Sequence, residues 1–189
     1  MSITKRVSTI SFSIMAFAIL VGCPPRSPRA GDTRTFDGIQ FQWCPPGTFT
    51  MGSPENEVGR DDDETQHTVT LTEGFWLSTF EVTQDQWLDV MESNPSSTDG
   101  GDHPVESVSW NDVQEFLINL NAAKATEAYR LPTEAQWEYA YRAGTATRFY
   151  WGEDSDGTET GDHAWYSDNS GSATRSVAGK GPTRGDCTT

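Results

Sequence analysis

Three histidines, three cysteines and a run of four acids are the residues with chemistry beyond packing, and their spacing limits what each can do. His67, His103 and His163 lie far apart and lack the spacing of zinc ligands, so surface or capping roles are expected for them. Asp61-Asp62-Asp63-Glu64 is dense in carboxylate but lacks the alternate spacing and the glycine of a calcium loop, which makes it a solvated charge run. Asp154-Ser155-Asp156-Gly157 imitates such a loop loosely: its glycine comes early and no acid closes the loop at the twelfth position. A glycine-rich phosphate loop, a Gly-x-Ser-x-Gly elbow and a cysteine placed beside a histidine are all missing. Cys44 sits in an apolar, aromatic run and is expected to be a free buried thiol; a disulfide between Cys44 and Cys187 is the alternative in an oxidising compartment.

Cys23 belongs to different chemistry. Lys5 and Arg6 precede an apolar run from Val7 to Leu20, too short for a comfortable membrane span, and Leu20-Val21-Gly22-Cys23 resembles a bacterial lipobox. Residues 1–22 therefore read as a lipoprotein signal peptide, with cleavage before Cys23 and acylation of its thiol and amine. Residues 23–35, with Pro24, Pro25, Pro28 and Gly31, read as a tether. Several acyl chains make a stable anchor, so the expected location is the surface of a bacterial envelope membrane. A net charge of −15 argues against nucleic acid as a partner, because nucleic acid is itself a polyanion.

The elements that must position these residues are short. At 189 residues the chain allows one ordinary domain; only 34% of it is hydrophobic, but seven Trp and nine Phe supply large apolar area per residue. Phe41 and Trp43, then Phe49 and Met51, flank Cys44-Pro45-Pro46-Gly47 and read as two short strands about a Pro-Gly turn, with the folded part beginning near Phe36. His67 to Leu71 alternates as a strand, and Gly74-Phe75-Trp76-Leu77 leads on to Phe80-Glu81-Val82-Thr83.

Three helices begin with capping signals. Thr83 with Gln86 opens one whose inward face is Trp87, Val90 and Met91. Ser109 with Asp112 opens another that carries Val113, Phe116, Leu117 and Leu120. Thr133 with Gln136 opens the third, which places Trp137, Ala140 and Tyr141 on one face, with Arg130 close enough for Glu134 or Glu138 to pair with it. Phe149 to Gly152 reads as an aromatic strand end, and Val177-Ala178-Gly179 as the start of another strand.

Five blocks then agree in order with a known family: Phe49-Thr50-Met51-Gly52-Ser53; Glu81-Val82-Thr83; His103-Pro104-Val105 with Val108-Ser109-Trp110-Asn111-Asp112; Arg130 through Tyr139; and Tyr150-Trp151-Gly152. Over residues 36–179 the chain resembles the formylglycine-generating enzyme, or sulfatase-modifying factor, family. The resemblance implies an α+β, loop-rich fold like that of C-type lectins, which agrees with the short elements read above. It also implies a family activity, the oxidation of a cysteine in an unfolded sulfatase to formylglycine with oxygen and a copper ion held by two thiolates.

The blocks that accompany those thiolates in the family are not found here, and Cys44 and Cys187 do not match them, so copper is not expected in this chain and it is read as catalytically incomplete. Residues 180–189 diverge from the family, and a truncation, leaving the fold incomplete at its C-terminal end, or a frameshift is the expectation for them. By resemblance Glu81 matches a residue that lines the family's substrate groove, and Asp168 and Asn169 are the nearest counterparts of a structural calcium site. Two functions follow: a lipoprotein of an enzyme family whose partner is an unfolded sulfatase or another envelope protein, or a non-catalytic module of the same fold for surface binding or assembly.

Overall fold

The computed structural model describes residues 27–57, 59–154 and 156–180. The signal peptide, Cys23 and most of the divergent tail, with Cys187, lie outside the described residues.

Two small antiparallel sheets carry the first half of the chain. Strands β1 (Thr33–Phe36), β2 (Ile39–Cys44) and β5 (Phe75–Ser78) form one sheet in the order β1-β2-β5. Strands β3 (Gly47–Met51) and β4 (His67–Leu71) form the other. Asp37 and Gly38, at φ 52° and 84°, make the tight turn between β1 and β2; positive φ at both central residues matches the twist of a hairpin. The first strand thus starts at Thr33, ahead of Phe36.

The two strands read on either side of Cys44-Pro45-Pro46-Gly47 are β2 and β3, and they do not pair with each other. β2 pairs with β1 and β5, and β3 pairs with β4. Consecutive prolines lack the backbone donors that a hairpin turn uses, and here they carry the chain from one sheet to the other.

Helices α1 (Gln84–Met91), α2 (Trp110–Lys124) and α3 (Glu134–Arg142) each begin with the capping box read from the sequence, at Thr83, Ser109 and Thr133. Each box satisfies two end groups that a helix leaves open. α1 and α2 close the first core against β2: Ile39, Trp87, Phe116 and Leu120 are buried together, with Val90, Met91, Val113 and Leu117 packed around them. Trp87 and Phe116 stack nearly parallel, with ring centroids 4.9 Å apart.

α3 closes a second core around Cys44 and Tyr139, with Phe49, Leu71, Phe75, Leu77 and Ala140 about them. The inward residue of α3 is Tyr139, whereas Trp137 is 55% exposed and stacks on Tyr141. Of the stripe Trp137, Ala140 and Tyr141, Trp137 alone lies outside: Ala140 packs on the second core and Tyr141 is partly buried against Tyr150, while the helix also meets the body through its polar side. The Oε1 of Glu138 accepts from the backbone N–H of Gly52 at 2.9 Å and from Nε of Arg142 at 2.8 Å, and Nη2 of Arg142 donates to the Gly52 carbonyl at 2.9 Å. Gly52, at φ 95°, is required here: a Cβ would lie 2.8 Å from the Glu64 carbonyl oxygen. Glu138 is thereby committed, and Arg130 pairs with neither glutamate. Its Nη1 donates to the Leu131 carbonyl and to Oε1 of Gln136, at 2.9 Å each.

The last described stretch is mostly loop, with the single short helix α4 (Thr160–His163). Val177 to Gly179 forms a turn instead of the expected strand, with Ala178 at φ 61°, and it is tied back by Val177 N–H donating to the Asp102 carbonyl at 3.0 Å.

Candidate functional site

Two concavities flank the first sheet. The smaller, about 150 Å³, holds Glu81 with Gln40, Phe80, Thr83, Gln86 and Val177 on its wall. Glu81 is exposed. The blocks on either side of it meet: Val105 N–H donates to the Val82 carbonyl at 2.9 Å, and Thr83 bridges Pro104.

Behind this contact lies a residue that the sequence reading passed over. Gln84 is 2% exposed and makes four hydrogen bonds. Its Nε2 donates to the Thr98 carbonyl at 2.8 Å and the Pro104 carbonyl at 3.3 Å. Its Oε1 accepts from Nδ2 of Asn94 at 2.9 Å and from Gly100 N–H at 3.1 Å. A buried amide with both donors and its acceptor engaged fixes the loop from Asn94 to Pro104 on the start of α1. The signal for it was available, since Gln84, Trp87 and Met91 stand at helical spacing on one face.

Glu106 holds the outer side of the same loop. Its carboxylate accepts from Ser107 Oγ at 2.5 Å, Ser97 Oγ at 2.7 Å, Thr98 N–H at 3.1 Å and Ser97 N–H. Donors from Ser107 and Ser97 favour the charged form and lower its pKa to about 2. With the folded value depressed, this contribution is complete above the ordinary glutamate range of roughly pH 4 and is lost as pH falls through about 2. An NMR titration of the Glu106 carboxyl carbon should show a midpoint near 2, with the Ser97 and Thr98 amides shifting in step. A midpoint in the ordinary range would mean that the loop is not held this way.

The larger concavity is a groove of about 760 Å³ between the first sheet, α2 and residues 126–132. Phe41, Trp76, Phe116 and Leu117 are among its apolar walls. Asp37, Lys124 and Arg130 are its only formally charged lining residues. Tyr129 donates its hydroxyl to Oδ2 of Asp37, and Lys124 Nζ lies 3.8 Å from Oδ1. Burial, reinforced by the Asp37 carboxylate, pushes the Tyr129 hydroxyl up to about 12, so it stays protonated and acts as a donor.

The other candidate residues lie apart from both concavities. Asp168 and Asn169 stand in the 164–171 loop. Asn169 accepts from Tyr166 N–H at 2.8 Å and donates to the Ala164 carbonyl at 2.9 Å, and Asp168 accepts from Ser167 Oγ at 3.0 Å. Asp154 braces its own loop by accepting from Glu159 N–H at 3.0 Å and Thr160 Oγ1 at 2.8 Å, which, with the Trp151 indole N–H, keeps its pKa low. His67 is exposed and held to the Thr65 carbonyl, His103 is held to Thr174, and His163 stacks on Trp151 within reach of the Tyr150 hydroxyl.

Cys44 corrects the expectation of a free thiol. It is 1% exposed, as an apolar setting implies, but it is disulfide-bonded, with its partner outside the described residues. Sequence carries no distance between cysteines, so burial was legible there and pairing was not.

Comparison with known proteins agrees with the fold. The chain is 32% identical over 137 residues to a chaperone protein, LppX, of Paenibacillus barcinonensis, covering 54% of this chain and 47% of that one. It is 26% identical over 161 residues to the formylglycine-generating enzyme of Mus musculus, covering 57% and 41%. It thus spans less than half the length of these two relatives. Among solved structures it superposes on PvdO from Pseudomonas aeruginosa with a TM-score of 0.70 at 27% identity, covering 82% of this chain and 69% of the other. The Treponema denticola variable protein 1 superposes with a TM-score of 0.67 at 26% identity, covering 80% and 69%. Residues 30–184 match the sulfatase-modifying factor enzyme 1-like domain, and the chain, with its mixed α+β, loop-rich architecture, belongs to that family.

Proposed function

We propose that this domain is a polypeptide-binding module that assists another envelope protein and does not itself oxidise cysteine. The observation that carries the proposal is the large apolar groove beside the first sheet. Copper chemistry of the family's kind needs two thiolates on one ion. Cys44, the one cysteine among the described residues, is buried and disulfide-bonded. Among the described residues no group of three or more His, Cys, Asp or Glu side chains could hold a metal ion. These residues do not fit a copper centre, and no oxidation step is drawn through them. A large apolar groove on the family's scaffold supports a binding role, and so does a relative that bears the name of a chaperone.

Two measurements on one preparation test this. Light scattering from heat-denatured citrate synthase should fall when the chain is added in equimolar amount. Mass spectrometry of a Cys-x-Pro-x-Arg peptide incubated with the chain, copper and oxygen should show the cysteine unchanged. Unaltered scattering, or appreciable formylglycine, would sink the reading.

The envelope location is part of the same proposal. No helix of the described residues is long and apolar enough to cross a membrane, and Leu20 to Cys23 offers a lipid anchor instead. Cys23→Ala should abolish incorporation of labelled palmitate in a bacterial host, and label retained in that variant would remove the anchor from the proposal.

A further inference from the structure

Where the chain turns from Tyr150 through the loop of Asp154 to α4, a buried phenol meets an imidazole. Tyr150 is 6% exposed, and its hydroxyl lies 3.0 Å from Nδ1 of His163. With the imidazole proton on Nε2, Nδ1 accepts from that hydroxyl. Burial raises the pKa of Tyr150, so the phenol keeps its proton at neutral pH.

A phenol in this setting is prepared for one reaction, the loss of an electron together with a proton. Removing an electron turns the hydroxyl into a strong acid, so the electron leaves readily only where a base stands ready for the proton. Away from bulk water that base must be a neighbouring side chain. Imidazole is the side chain that both gives and takes protons near neutral pH, and His163 is already in contact.

The charge that would arrive on His163 is provided for as well. Trp151 stacks on the His163 ring with centroids 4.5 Å apart at an angle of 10°, and an indole face attracts a cation. Asp154 accepts from the Trp151 indole N–H at 3.3 Å, which fixes that ring in place. Two other tyrosines show what this arrangement adds. Tyr129 donates to the Asp37 carboxylate, a much weaker base than imidazole, and the Tyr139 hydroxyl is buried without an acceptor. Tyr150 also meets Tyr141 edge to face at 6.2 Å, and Tyr141 stacks on Trp137 at 5.3 Å, so oxidisable rings in series connect the pair to α3.

We propose that Tyr150 and His163 form a one-electron redox site. A one-electron oxidant, such as a peroxide-derived radical, takes an electron from the Tyr150 ring while the hydroxyl proton moves along the existing hydrogen bond to Nδ1 of His163. The oxidant is reduced by one electron; Tyr150 becomes a neutral phenoxyl radical, and the positive charge gained by the protein rests on the imidazolium. The site does not depend on the polypeptide-binding reading above.

The test oxidises the full chain with photogenerated tris(bipyridine)ruthenium(III), a cobalt(III) ammine serving as the final electron acceptor, and traps the product by freezing for electron paramagnetic resonance. A tyrosyl spectrum is expected, with a nitrogen coupling that changes when the histidines carry heavy nitrogen, because among the described residues His163 is the histidine that contacts a tyrosine. Tyr150→Phe should remove the signal. In His163→Phe, which keeps a ring beside Trp151 but offers no proton acceptor, the radical yield should fall roughly tenfold. The labelled unaltered chain decides the matter even where a variant fails to fold. An indole radical in place of a tyrosyl one, a tyrosyl radical without histidine coupling, or an undiminished signal in either folded variant would overturn the proposal.

Discussion

Trp87→Ala is expected to lower the stability of this domain by about 4 kcal/mol, within the range for deleting a large aromatic from a packed core. Trp87 is 3% exposed, and its ring lies flat on Phe116. Removing it takes away apolar burial, the stacking contact and the filler between α1 and α2 at once. α1 has eight residues, too few to hold as an isolated helix, so its order depends on that contact. Domains of this size have total stabilities of roughly 5–15 kcal/mol, and the loss should appear as a fall in Tm of about 10–15 °C by circular dichroism. A drop of only a degree or two would mean that the first core is not organised around Trp87.

The second large effect is expected from Gln84→Glu, a change of one atom in a side chain of the same shape. The carboxylate would face the Thr98 and Pro104 carbonyls where an amide now donates to both, and at 2% exposure it would do so away from water. Two lost donors and a buried charge should cost about 3 kcal/mol at neutral pH. Burial, with the Thr98 and Pro104 carbonyls facing one of its oxygens, raises the pKa of the introduced carboxyl in the folded state above its unfolded value, and outweighs the donors that Asn94 and Gly100 give to the other oxygen. The folded protein then binds the extra proton, so the penalty is full above the folded pKa and shrinks as pH falls toward the unfolded one. Urea denaturation at neutral and mildly acidic pH should show the variant recovering part of its deficit in acid. Equal deficits at both pH values would show that the side chain has moved to water.

Much of this architecture was legible because it rests on local chemistry. A capping box satisfies two orphan backbone groups within four residues, so Thr83, Ser109 and Thr133 declared their helices without knowledge of the fold. The inward stripe of α2 followed from its spacing, since that helix meets the body through one apolar face centred on Phe116 and Leu120. The Asp37-Gly38 pair was a hairpin signal left unread, and with it the strand β1.

What escaped depends on partners distant in sequence. The orientation of α3 is set by Gly52, reached by Glu138 across 86 residues of chain, and no periodicity within the helix reports that contact. Pairing of β2 with β5, the disulfide of Cys44 and the groove are likewise products of tertiary assembly. Gln84 fell between the two kinds of evidence: its spacing placed it inward, its polarity suggested otherwise, and four hydrogen bonds reconcile the two.

The arrangement of the two sheets has an entropic consequence. The hairpin of β3 and β4 lies within the stretch of chain that connects β2 to β5. Once that hairpin pairs, the connection is shortened, and bringing β5 to β2 costs less loop entropy than it would across a free coil. The benefit runs in both directions, because holding β2 against β5 confines the ends of the segment in which β3 must find β4. Each sheet lowers the ordering cost of the other although no strand of one pairs with a strand of the other. They are coupled through the chain that connects them as well as through the core they share.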